Sequence, residues 1–153
     1  MRILKNISLF IIIGFAISVI CKYLQSTFFL KYLQDNIIGL LLTLLAINTA
    51  TLGLIASKIQ DTIEKYNGLN FKNTIKEMKF SLIEQVILIV ISIIVLILSN
   101  SLVIVFQHKE LFFNSVLVSI LIYSIIILYD TGKAVFVIIE LIQKIKDNEN
   151  CHK

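Results

Sequence analysis

The chain has no proline and no tryptophan, and only two cysteines, two histidines and five glycines in 153 residues. Without proline, no helix is obliged to kink or stop at a residue that lacks an amide proton. The cysteines and histidines (Cys21, His108, Cys151 and His152) are too scattered for a disulfide framework or a structural zinc spacing. Charge is scarce as well, with 16% charged residues against 58% hydrophobic. A soluble domain of this length leaves too much of its surface in water to hide so many apolar side chains. An ordinary soluble domain is thereby excluded, and the lipid bilayer is the solvent that the composition fits.

What is present is a set of long uncharged runs rich in Leu and Ile. Asn36–Ser57, Gln85–Gln107 and Leu111–Tyr129 all meet the roughly 20 residues a helix needs to cross a bilayer. Asn6–Cys21 is shorter, and Lys5 and Lys22 can snorkel to extend it. Arg2 and Lys5 before this run, with Ala16-Ile17-Ser18 behind, loosely match a signal peptide. Ser18–Cys21 also brushes a lipoprotein pattern, but Ile20 stands where a small residue is wanted. The expectation adopted is a retained anchor. The fold class is then all-α, a four-transmembrane-helix bundle forming one membrane domain over 1–153, with spans at about 6–23, 36–57, 82–107 and 111–130.

Four spans place Arg2, Lys5, Lys58, Lys65, Lys72, Lys76, Lys79, Lys133, Lys144, Lys146 and Lys153 on one side, and only Lys22, Lys31 and Lys109 on the other. Cytoplasmic loops collect Lys and Arg, so both termini are expected in the cytoplasm of a multi-pass inner-membrane protein. Cys21 and Cys151 then lie on opposite sides and cannot pair within one chain. The net charge of +4 is this cytoplasmic excess and calls for no nucleic acid.

Residues 58–81 read as a cytoplasmic helical hairpin. Ile59, Ile63 and Tyr66 continue span 2, Asn67-Gly68 supplies a stop, and Asn70 or Asn73 can cap the return helix bearing Phe71, Ile75 and Met78. After an interruption at Asp130-Thr131-Gly132-Lys133, an amphipathic tail helix over 133–147 carries Val135, Ile138, Ile139, Ile142 and Ile145 on one face. It is expected on the inner leaflet or against the hairpin. His108-Lys109-Glu110 reads as a tight turn between spans 3 and 4.

Within span 2, Gly39, Thr43, Ala46, Ala50, Gly53 and Ser57 recur at spacings of 4, 3, 4, 3 and 4. At 100° per residue they share an arc of about 80°. Apolar bulk drives no association in lipid, so such a helix-packing seam marks close backbone approach, to another span or to a second copy. Asn48 falls on the opposite face beside Thr51, close to the middle of span 2 by residue count. Two readings stay open for it: interhelical polar glue, or the lining of a pore in a homo-oligomer. Asn100 and Asn114 are expected near each other across the span 3–4 hairpin, with Ser119 within reach. Lys58, Glu84, Asp130 and Lys133 gather at the inner edge as an ion-pair cluster or, alternatively, a vestibule. No span carries a charge in its core, which sets the chain apart from ion-coupled transporters. No nucleophile with its base, metal constellation or phosphate-cradling loop is recognisable, so neither an enzyme nor a cofactor is expected.

This plan, with a small-residue-rich second span, a charged segment over Lys58–Lys79 and Glu84 entering the third span, resembles the small four-span bacterial membrane proteins of phage exclusion and anti-phage defence, the RexB-like and KwaA-like proteins. The resemblance is architectural and covers most of the chain; the dense Arg run that follows span 2 in RexB-like proteins is absent. It implies a membrane sensor or depolarising channel working with a cytoplasmic protein partner. The expectation is therefore a homo-oligomeric sensor or ion-conducting pore. A non-conducting scaffold with a cytoplasmic partner and a holin-like lysis protein are the alternatives.

Overall fold

The computed structural model describes residues 2–65, 71–103 and 106–151, with side chains described from residue 8 to residue 144. Four helices follow in order: α1 (Arg2–Tyr23), α2 (Phe28–Lys65), α3 (Lys72–Asn100) and α4 (Lys109–Cys151). There is no strand among the described residues. α2, α3 and α4 are long and apolar enough to cross a membrane, while the described apolar part of α1, Ser8–Tyr23, is shorter.

Polar contacts fix the directions of the helices. Phe10 of α1 stacks obliquely on Tyr123 of α4 at 5.4 Å, and one turn further on Gly14 meets Ser119 and Ser115; α1 therefore runs antiparallel to α4. Gln34 pairs with Asn114 and Asn48 reaches the level of Thr131, so α2 runs parallel to α4. α3 returns antiparallel to both. α4 packs against each of the other three helices, and α1 rests chiefly on α4. The main core joins Leu33, Ile37 and Leu41 to Leu88, Val95, Phe113 and Leu117. A second cluster at the lysine-rich end joins Leu52, Ile55, Ile59 and Phe71 to Ile138.

Three local expectations are corrected. The interruption at Asp130–Lys133 does not occur, because α4 runs unbroken for 43 residues. One glycine in a helix costs only about 1 kcal/mol relative to alanine. Here Thr131 also returns its hydroxyl to the Ile127 carbonyl at 3.0 Å, and Ala134, Val135 and Ile142 pack on the second cluster. The tail is thus a continuation of α4 packed against protein.

The third helix ends at Asn100, short of the expected residue 107. Asn100 turns its amide onto the Leu96 carbonyl at 3.2 Å, Ser101 accepts from the Val103 amide at 3.3 Å, and Lys109 donates to the Ser101 carbonyl. These local side-chain bonds compete with helix continuation. At the other end of α3, Asn73 lies inside the first turn, and the N-cap position is Phe71, with no side-chain cap bond. The Asn67-Gly68 stop and Asn70 lie outside the described residues.

Gly14 is the tightest point between α1 and α4. A Cβ built there would stand 2.5 Å from the Ser115 backbone carbonyl oxygen and overlap the Ser119 hydroxyl. Gly39 has nothing within 4 Å of the same hypothetical atom. Gly14→Ala should lose about 1–3 kcal/mol of stability through overpacking. Gly39→Ala should be neutral or gain up to about 1 kcal/mol from helix propensity. Denaturant titration in mixed micelles reads both, and equal effects would remove the α1–α4 contact as drawn.

Candidate functional site

A carboxamide in a membrane helix needs partners, because an unpaired polar group in a low-dielectric surround costs about 1–3 kcal/mol. Asn48 finds them on α3. Its Nδ2 donates to Gln85 Oε1 at 2.9 Å and to Ser81 Oγ at 3.0 Å. Ser81 Oγ stands 3.3 Å from Thr131 Oγ1 on α4. Proton counting sets the direction of this last bond. Thr131 has already given its hydrogen to the Ile127 carbonyl, so Ser81 donates to Thr131 and accepts from Asn48. The Asn48 amide orientation follows from that chain. One side chain thereby ties α2, α3 and α4 together. Asn48 Oδ1 and Gln85 Nε2 have no hydrogen-bond partner among the described residues, nor do the hydroxyls of Ser18 and Ser124.

The register moves Asn48 away from mid-span. Gln85 and Ser81 flank Glu84, where the uncharged stretch of α3 begins, and Thr131 adjoins Asp130. Asn48 therefore lies at the lysine-rich end of the apolar stretches of α3 and α4. It sits mid-run only when α2 is counted alone.

Beside this junction is a cavity of about 280 Å³ between α3 and α4, lined also by Leu52 of α2. Glu77, Glu84 and Asp130 line it with the hydroxyls of Ser81, Thr131 and Tyr123 and apolar side chains including Met78, Phe80 and Ile126. Tyr123 donates to Glu84 Oε1 at 2.9 Å. The expected inner-edge residues thus separate. Glu84 and Asp130 share the cavity, whereas Lys58 pairs with Asp61 at 3.8 Å. Among the described residues Lys58, Glu84, Asp130 and Lys133 form no ion pair with one another. The Lys58–Asp61 pair is more than half exposed on both sides, so it contributes little.

The other expected polar residues have different partners. Asn114 accepts from Gln34 Nε2 at 2.5 Å, while Asn100 is exposed and bonds its own helix. Ser119 donates to the Ser115 carbonyl at 2.6 Å on the face that receives Gly14. Thr51 returns its hydroxyl to Ile47 at 2.9 Å. All six seam residues, Gly39, Thr43, Ala46, Ala50, Gly53 and Ser57, are exposed, and no helix of the same chain covers them.

Sequence reasoning missed Gln85, Ser81, Thr131 and Gln34 as partners, and Gly14 as a contact point. The available signal was the scarcity of carboxamides in the spans, which makes Asn48–Gln85 and Gln34–Asn114 natural pairs once the register is known. No group of three or more potential metal ligands occurs among the described residues. No family model, curated protein or solved structure matches the chain.

Asn48→Leu strands Gln85 Oε1 and should cost about 1–3 kcal/mol. Asn48→Leu with Gln85→Leu removes both partners, so its cost should fall below the sum of the single variants. A double-mutant cycle in micelles measures this; additive costs would show that the amides do not interact.

Proposed function

We propose that the protein is a homo-oligomeric, non-enzymatic membrane sensor of the bacterial cytoplasmic membrane. It crosses four times with both termini in the cytoplasm, joins its copies along the α2 seam, and presents its lysine-rich end to a cytoplasmic protein. The single observation that carries this reading is the complete exposure of the seam: six small residues on one face of a membrane helix, none covered by its own chain.

Register divides the seam. Ala50, Gly53 and Ser57 lie beyond Asn48, level with the charged segment of α3 that carries Glu77 and Lys79. Gly39, Thr43 and Ala46 lie on the other side of Asn48, alongside the uncharged stretch of α3, and are the half of the seam that faces hydrocarbon. Small faces let two backbones approach closely, which is the usual source of helix affinity in lipid. A sensor is preferred to an Asn48-lined pore because Asn48 is committed to Gln85 and Ser81 inside its own bundle. The fourth crossing, by α1, draws on its antiparallel packing against α4 and on the lysine asymmetry that an even span count produces. The anti-phage setting rests on the architectural resemblance alone.

A Cβ added at Gly39 or Gly53 has nothing within 4 Å and both positions face outward, so the Gly39→Leu/Gly53→Leu variant should fold normally yet associate at least tenfold more weakly. Fluorescence energy transfer between labelled copies in liposomes reads the association; transfer equal to wild type would sink the seam interface. The span count has its own test. Tags at the N- and C-termini should both resist a membrane-impermeant reagent in intact cells, and a reactive N-terminal tag would reduce the crossings to three.

A further inference from the structure

The cavity beside Glu84 joins two chemistries that the seam reading does not use. Its lining includes Glu77, Glu84 and Asp130, and no lysine or arginine is among the lining residues. The same lining includes the apolar and aromatic side chains of Met78, Phe80 and Ile126. Tyr123 takes one oxygen of Glu84 and leaves the second for a guest.

We propose that this cavity binds a small organic ammonium ion, its head among the carboxylates and its apolar body against Phe80, Met78 and Ile126. An anion is repelled by three carboxylates. A hydrated inorganic cation gains the charges and nothing from the apolar side chains. An ammonium carried on a hydrocarbon or aryl body uses both, and an aromatic ring can face the cation directly. The volume, about 280 Å³, lies just below the range typical of pockets for drug-sized ligands, and so suits a smaller molecule. Every lining residue belongs to one protomer, so the site goes beyond the oligomer reading and does not depend on it.

The test is calorimetric titration of phenethylammonium chloride into the full chain in lipid nanodiscs at constant ionic strength. Saturable binding is expected, weakened at least tenfold by Glu84→Gln and by Asp130→Asn. Glu64→Gln, a carboxylate outside the cavity, should leave it unchanged. Ile126→Trp fills the space without altering charge and should abolish binding while the thermal melt confirms folding. Binding should persist in the dispersed Gly39→Leu/Gly53→Leu variant, which separates this site from the fate of the seam. Absence of saturable binding overturns the proposal, as does equal binding of 3-phenylpropionate. Full displacement by equimolar magnesium would reassign the cavity to inorganic cations and overturn it equally.

Discussion

In hydrocarbon, a leucine gains almost nothing by touching another helix instead of a lipid tail, so apolar packing alone does not choose a register. Here the choice falls to one carboxamide. Asn48 must place two N–H hydrogens, and it does so by setting α2 against Ser81 and Gln85 of α3, with Thr131 of α4 completing the chain. Sliding α3 by one residue would turn Gln85 about 100° away and leave a buried amide unpaired. At the opposite end of the apolar region, Gln34 and Asn114 repeat the device. Gln34–Asn114 ties α2 directly to α4 and Asn48 ties them through Ser81 of α3, one near each end, and the apolar core fills in between them.

The same register explains why the helices are so unequal. α2 is 38 residues and α4 is 43, about 57 Å and 64 Å at 1.5 Å per residue, roughly twice the thickness of a hydrocarbon core. The surplus lies at one end, where Leu52, Ile55, Ile59, Phe71 and Ile138 form a core of their own. That second core keeps α4 helical through Gly132, and it couples the apolar region rigidly to the lysine-rich end. The connections at the opposite end contrast with this. Gln25, in the α1–α2 turn, takes a positive φ of 53°, and α3 gives out at Asn100–Ser101.

Composition and uncharged run lengths made the helical, membrane character of the chain legible, since both follow from solvation and need no tertiary information. Helix ends were less legible. At Gly132 a weak local breaker yielded to packing, whereas at Asn100 a weak polar group won because little packing opposed it: Leu102 and Val103 are about nine-tenths exposed. The site divided in a similar way. Periodicity separated the seam face of α2 from the Asn48 face, a property of one helix alone. The partners of Asn48, and its depth relative to Glu84, depend on how α2 and α3 align across a turn, and no residue spacing within either helix encodes that alignment. Gly14 was unreadable for the same reason: its importance lies in what α4 presents opposite it.

The two faces of α2 therefore carry separate burdens. The Asn48 face holds the protomer together, with buried Leu41, Leu52 and Ile55 in line with it, while the seam face presents backbone and small side chains outward. A helix whose register within the bundle is fixed by hydrogen bonds can change its outward contacts without losing its inner ones. In the proposed sensor this is the physical basis for association between copies: the seam can close or part while the junction beneath it stays intact. The cavity belongs to that fixed inner side: Leu52 lines it from α2, Glu84 from α3 and Asp130 from α4, so its lining stays in place whether the seam is closed or parted.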